Sequence, residues 1–322
     1  MKKSLLALAV LGAFAGAASA QSSVTLYGRV DLSVGKGAGV EAKSLANGSG
    51  SRFGVRGVED LGGGLQALFN IEHRYNADTG AQSNALRFWQ GRSLVGLQGG
   101  WGQVVLGREY TTAFLQSQLV ADPWGWDTVV SGTLGGSGGN TLITGGGPGM
   151  ATVRNDSSAT YKLSVGGFTF GAQIAEATDA INNTPNKPVN FAISYAGGPF
   201  TAGLGYEQNG QEVVDNQKWL TANLAYNFGR FKIGGFYGTG TTALGVDRDA
   251  FMVTGTAPIG AGELRASYGV LEQDGSPDLA KVFALGYHYS LSKRTTIYAD
   301  VINDKQQVTS KTGYDFGIKH NF

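Results

Sequence analysis

Alternation with a period of two recurs along this sequence and limits what the chain can fold into. In "LTANLAYNF" (220–228), Leu220, Leu224, Tyr226 and Phe228 fall on one side and Thr221, Asn223 and Asn227 on the other. "VFALGYHYSL" (282–291) places Phe283, Leu285, Tyr287, Tyr289 and Leu291 on one face, and "VTLYGRVDL" (24–32) sets Val24, Leu26, Val30 and Leu32 against Thr25, Tyr27, Arg29 and Asp31. Successive side chains of a strand point to opposite faces, so these runs read as strands with one apolar and one polar side. Helical stripes are scarce: 52 of the 322 residues are glycine, and Gly and Thr interrupt nearly every helical window.

The connectors alternate as well. Short turns fall at 60–64, 99–102, 165–167, 197–199, 228–230, 257–262 and 291–294. Longer polar stretches lie near 36–49, 77–86, 109–150, 178–187, 208–217, 239–248, 272–279 and 303–312. Seven turns and eight loops join sixteen strands, each long enough to cross a bilayer at a tilt. A sandwich or propeller also alternates, but sixteen long strands in one meander are large for a sandwich, and no blade-length repeat is visible. The expected fold is all-β: a 16-stranded antiparallel transmembrane β-barrel with short periplasmic turns and long external loops. In lipid every backbone polar group needs a partner, so the last strand, "GYDFGIKHNF" (313–322), should pair with the first, 24–34.

The front of the chain sets the compartment. Lys2 and Lys3 precede an eleven-residue apolar run, Leu5–Ala15, and an A-x-A site, Ala18–Ala20. Residues 1–20 therefore read as a secretory signal peptide, and 21–322 as the mature barrel. Without Lys2 and Lys3 the 25 basic residues become 23, against 24 acidic ones. That balance offers nothing to a nucleic acid, which demands a basic excess. Cysteine is absent, so disulfides and thiolate metal sites are unavailable.

No catalytic constellation, cofactor site or metal site emerges, and the chain is not expected to be an enzyme. The histidines, His73, His288 and His320, belong to three separate strands, and the glycines of 238–245 join two strands rather than a strand and a helix. The arginines carry more information. Arg52, Gly54 and Arg56 share a face, Arg92 opens "RSLVGL", Arg108 ends "VVLGR", and Arg154 lies in "ATVRNDSSATY". A guanidinium facing lipid at mid-membrane costs ~2–4 kcal/mol, so several of these should point into the lumen or sit near an interface. Four of them flank the 42-residue stretch 109–150, far longer than an ordinary loop. Its first half carries Phe114, Leu115, Leu119, Trp124 and Trp126 with the acids Asp122 and Asp127, and can pack on an inner wall with its carboxylates toward the arginines. Its glycine-rich second half reads as mobile.

The order "VTLYGRVDLSV", "SRFGVRGVEDLGGGLQALFNIE", "GRSLVGL", "GQVVLGREYT", "ATVRNDSSATY" and a terminal aromatic resembles the Gram-negative general porins, in the branch typical of beta-proteobacteria. The resemblance implies an outer-membrane homotrimer whose third loop, about 109–150, folds inward and narrows each channel. It contacts lipid and lipopolysaccharide and passes small hydrophilic solutes and anions. Carried over by motif, Arg52, Arg108 and Arg154 form the basic wall of the constriction. Arg56 and Arg92 match secondary positions, and "ADPWGWD" supplies Asp122 and Asp127 opposite. Three arginines against two carboxylates imply a weak to moderate anion preference. The alternatives are a substrate-specific channel, at which Tyr27 and Arg29 hint, and, remotely, a barrel hydrolase. The resemblance also makes Phe322 the mark read by the barrel assembly machinery. Deleting Phe322 should impair membrane insertion far more than it alters conductance; normal trimer yield without it would contradict that role.

Overall fold

The computed structural model describes residues 22–148, 150–178, 185–209 and 217–322; the leader assigned to 1–20 lies outside them, as do parts of the connections expected near 178–187 and 208–217. Sixteen long strands follow one another: β1 (Ser23–Lys36), β2 (Arg52–Gly62), β3 (Leu65–Arg74), β4 (Arg92–Gly99), β5 (Gly102–Tyr110), β6 (Arg154–Val165), β7 (Phe168–Ala175) and β8 (Val189–Gly197). The second half continues with β9 (Phe200–Gln208), β10 (Lys218–Asn227), β11 (Lys232–Thr241), β12 (Asp247–Ile259), β13 (Gly262–Gln273), β14 (Ala280–Ser290), β15 (Thr295–Asp304) and β16 (Thr312–Asn321). Each pairs antiparallel with the next. A short strand, Ser44–Asn47, extends the line of β2 beside the outer end of β1.

The sheet closes on itself. One half of β1 pairs with β2, from Ser23↔Val58 to Arg29↔Arg52, and the other half with β16, from Arg29↔Asn321 to Lys36↔Tyr314. Gly28 and Phe322 exchange both backbone hydrogen bonds, at 3.0 and 3.1 Å. Gly28 leaves no room for a Cβ, which would lie 2.6 Å from the Arg52 carbonyl oxygen and 2.3 Å from the Phe322 ring. Closure satisfies the backbone in hydrocarbon, where unpaired groups cost several kcal/mol each.

The alternation read from the sequence becomes an inside and an outside. On β16, Phe316, Ile318 and Phe322 are exposed on the outer face, while Asp315, Lys319 and Asn321 point inward. His320 shares the outer face at the rim, where its Nδ1 lies 2.9 Å from the Thr295 hydroxyl. Beside the short turns, aromatic rings meet in series: Phe168–Tyr195 (tilted, 4.7 Å), Phe200–Tyr226 (edge-on, 4.8 Å), Tyr226–Phe228 (tilted, 4.5 Å) and Phe228–Phe231 (stacked, 4.8 Å). Such rings are amphipathic and suit the boundary between lipid and water.

The third long connection, 111–153, lies inside the barrel. It runs through a π-helical turn, Phe114–Gln118, one α-turn, Leu119–Ala121, a 3-10 turn, Val129–Ser131, and a short helix, Gly139–Gly145. Its glycine-rich second half is packed, contrary to the mobility its composition suggested. Val129, Val130 and Ile143 are fully buried against Trp219, Met252, Leu271, Val282 and Ile302, which project inward from β10, β12, β13, β14 and β15. The inner wall is apolar on this side, so the loop has something to dry itself against. The first half comes so close to β9 that a Cβ on Gly203 would sit 2.2 Å from the Gln116 carbonyl oxygen. We expect Gly203→Val to push this segment off the wall at a cost of ~1–3 kcal/mol. Single-channel recording should then find a larger, noisier conductance from protein that folds and inserts in normal yield.

A candidate functional site in the barrel lumen

Inward residues on neighbouring strands that are directly opposed in register form transverse rows across the wall. Arg29 on β1 opposes Arg52 on β2, and Arg52 opposes Arg74 on β3, so three guanidiniums stand in one row. Like charges directly opposed in a sheet repel, and each here has a counterpart. Arg74 Nε donates to Glu72 Oε1 at 2.8 Å, Arg52 Nε to the Gly50 carbonyl at 2.8 Å, and Arg29 pairs with Asp127 at 3.1 Å. The next row toward the short turns holds Tyr27, Gly54, Glu72 and Arg92. Arg92 donates to Glu109 Oε1 at 2.8 Å.

Tyr110, where β5 bends into the third loop, gathers three of these cations. The Arg154 guanidinium lies 3.9 Å and that of Arg92 4.8 Å from the ring centroid. Its hydroxyl accepts from Arg74 at 2.6 Å and also from Arg154. Guanidinium over an aromatic face is attracted by the ring quadrupole, more so where water is excluded. Among the described residues, Arg154 Nε is buried without a hydrogen-bond partner.

Of the residues expected at a constriction, Arg52, Arg92 and Arg154 meet in this cluster. Arg56 lies one row further toward the short turns, 5.2 Å from the Tyr27 ring centroid. Arg108 does not join them. It opposes Ser93 in register and shares the outer face with Leu106, two residues earlier in β5. Its guanidinium bonds Asp156 at 2.5 Å and the Gln90 carbonyl at 2.7 Å, and Asp156 also receives Arg87 at 2.7 Å. Asp156 of β6 thus supplies its counter-charge outside the lumen.

Asp122 faces no arginine either. It is buried within the third loop and accepts from Trp124 N (3.2 Å), Trp126 N (2.9 Å), Asn140 Nδ2 (2.9 Å) and Ser131 Oγ (3.3 Å). Asp127 is the carboxylate that reaches the basic wall, through Arg29 and, at 4.0 Å, Lys319. Burial pushes both carboxyls above the usual range, in Asp127 against the pull of Arg29 and Lys319. Arg29, Arg74, Glu72 and Tyr110 are the members the sequence reading did not single out as site residues.

The loop covers the opposite side. Asn190 accepts from Thr112, Glu207 from Gln118, Asp300 from the Trp124 indole at 2.8 Å, Asp315 from the Val129 amide at 3.0 Å, and Asp304 from Ser137. Asp304, Asp315 and Glu207 are fully buried and Asp300 nearly so. Level with the loop, water and solutes are left with the inner wall of β1–β6, where the constriction arginines stand; nearer the short turns the Arg265–Glu263 pair of β13 also faces inward.

A family description, Gram-negative porin, matches residues 7–308. The chain belongs to the Gram-negative porin family. It is 31% identical to an outer membrane porin of Bordetella pertussis and 32% identical to outer membrane porin protein 32 of Delftia acidovorans, in both cases over the full length of each chain. Among solved structures, the anion-selective porin from Comamonas acidovorans superposes with a TM-score of 0.78 at 28% identity, covering 94% of this chain and all of that one. The porin therefore resides in the outer membrane and acts as a diffusion channel; family and fold point to a channel rather than an enzyme. Removing the carboxylate that staples its third loop should loosen the loop, since each buried donor left unpaired costs ~1–3 kcal/mol. Asp122→Ala is expected to give noisier single channels and faster proteolysis between 122 and 131; unchanged noise and cleavage would argue against the staple.

Proposed function

We propose that this porin is an anion-preferring channel for small hydrophilic solutes, with the constriction formed by Arg29, Arg52, Arg74, Arg92 and Arg154 on one side and the third loop on the other. The observation that carries this reading is the sorting of charge. Wall carboxylates Glu207, Asp300, Asp304 and Asp315 lie beneath the loop, whereas the row Arg29–Arg52–Arg74 stands on the uncovered wall. A field between fixed cations and a low-dielectric wall favours anions and orients polar solutes. Arginine stays charged at any physiological pH, so the preference should not titrate away. The anion selectivity named for the Comamonas acidovorans porin is consistent with it.

The same reading includes a homotrimer, export by a cleaved leader of residues 1–20, contact with lipopolysaccharide, and insertion through the terminal strand and Phe322. Support for a subunit-facing side comes from the outer surface of β1, β4 and β5. It exposes the aliphatic Val24, Leu26, Val30, Val95, Leu97 and Leu106, while the ring pairs beside the short turns run from Phe168 on β7 to Phe231 just before β11.

The test is a planar bilayer with unequal KCl on its two sides. Anion selectivity is expected, and a cation-selective reversal potential would overturn the preference. One fixed charge about 7 Å from the ion path is worth roughly RT in water-like dielectric, less with salt screening. Arg52→Ala and Arg154→Ala should therefore each lower the chloride-to-potassium permeability ratio by about two- to sevenfold. No change in either would remove that residue from the constriction.

A further inference from the structure

One part of the inner wall does not look like the lining of a channel that only passes water and ions. On the short-turn side of the arginines, Val58 on β2 opposes Leu68 on β3, Leu68 opposes Gly96 on β4, and Gly96 opposes Val105 on β5. These four positions are without a polar side chain, between Ser23 of β1 and Thr160 of β6, and Leu94 extends them toward the constriction. Apolar surface facing water is unfavourable in proportion to its area, so a lumen that needs only to stay wet gains nothing from it.

Polar rows bound it on both sides. Toward the short turns, Gln66, Gln98 and Gln103 oppose one another and their amides chain together, at 2.6 Å from Gln98 to Gln66 and 3.0 Å from Gln103 to Gln98. Toward the constriction stand Arg56 and Asn70, opposed in register. Among the described residues the Arg56 guanidinium makes no ion pair or hydrogen bond; its one contact is the Tyr27 ring face. Asn70 uses its carbonyl oxygen to accept from Tyr27 at 2.8 Å, which leaves its amide nitrogen undirected. Arg56, Asn70, Gln98 and Gln103 line a recess of about 270 Å³ with Val58, Leu68, Leu94 and Val105 as its apolar part; Glu109 also lines it, its charge met by Arg92 at 2.8 Å.

The geometry points to a binding site for an amphiphilic monocarboxylate, a compact anion with one aromatic or branched apolar group. Its carboxylate lies between Arg56, which offers a fork of donors, and the Asn70 amide; its apolar group covers Val58 and Leu68 over the floor of Leu94 and Val105. Charge complementarity selects the anion, and the unpaired guanidinium gains the counter-ion it lacks. The apolar row selects against acetate, chloride and inorganic phosphate, which have nothing to lay on it. Because the recess adjoins the arginine row, an anion leaving the constriction has a place to pause on the periplasmic side. This assignment rests on the anion-channel reading and refines it by naming a solute class.

The experiment uses the intact trimer in a planar bilayer, with benzoate, cyclohexanecarboxylate and acetate titrated at constant ionic strength in potassium chloride. Block of the chloride current by the two ring carboxylates should exceed block by acetate about tenfold, the factor expected for covering one small apolar group. Leu68→Asn should lower the ring carboxylates to the acetate level, and Arg56→Gln should weaken all three while leaving the ring preference. Both variants must first assemble into conducting trimers, and block is read as a fraction of each variant's own chloride current. Should either fail to assemble, the comparison of ring carboxylates with acetate on the unaltered protein decides alone. Equal block by benzoate and acetate, or a ring preference that survives in Leu68→Asn, would overturn the site while leaving an anion-selective reversal potential intact. Cation selectivity with ring-dependent block would overturn the charge reading and leave the site.

Discussion

Every backbone N–H and C=O of this chain that lies in hydrocarbon must find its partner within the protein, and the rest of the structure follows from that demand. An open sheet would leave two unpaired edges in lipid; pairing β1 with both β2 and β16 removes them. Once the sheet is closed, a period-two sequence has no choice but to turn one face to lipid and the other inward. Sixteen strands enclose more space than their own side chains can fill. That space has to be managed by something other than the wall, and the third loop does it.

The loop divides the lumen because the wall is unevenly composed. Inward positions of β10–β15 include Trp219, Met252, Leu271, Val282 and Ile302, which bind the loop by burial. Inward carboxylates beside them are covered by donors of the loop, such as the Trp124 indole on Asp300 and the Val129 amide on Asp315. On β1–β4 the inward positions level with the loop are mostly polar and basic, and the apolar Val58–Leu68 row lies nearer the short turns, out of its reach. Tyr110 is the hinge between the two regimes: its backbone enters the loop, while its ring and hydroxyl hold Arg74, Arg92 and Arg154 together despite their mutual repulsion.

Much of this was legible before any coordinates. Short and long connectors alternated in the sequence, and the structure has the same seven turns and eight loops between sixteen strands. Parity along β2 put Arg52 and Arg56 on one face. The same parity was available for Arg108, because the apolar Leu106 two positions earlier marks its side as the outer one; motif likeness outweighed it. Asp122 likewise carried a local signal, since an aspartate before Pro-Trp-Gly-Trp readily accepts backbone amides of its own turn. What no single strand reveals is its offset against its neighbour. Arg29, Arg52 and Arg74 are level only because β1, β2 and β3 pair with one particular register, and that register depends on turn geometry and closure. The burial of the glycine-rich segment was hidden for a related reason: its partners are scattered over five strands that meet only in the closed barrel.

The sign of the lumen also shows why composition is a poor guide to a pore. Residues 21–322 carry 23 basic and 24 acidic side chains, a balance that predicts no preference at all. An ion in transit does not sample that total. A carboxylate sealed beneath the loop is desolvated and held by donors, so its field is largely compensated before it reaches water. A guanidinium on the open wall keeps its field in the lumen even when a neighbour such as Glu72 partly offsets it. The loop therefore acts as a selective cover: by docking on the side that holds Asp300, Asp304 and Asp315, it leaves β1–β3 to set the potential an ion meets. On this view a change that shifts the loop without touching any arginine changes selectivity as well as conductance, because it uncovers acids.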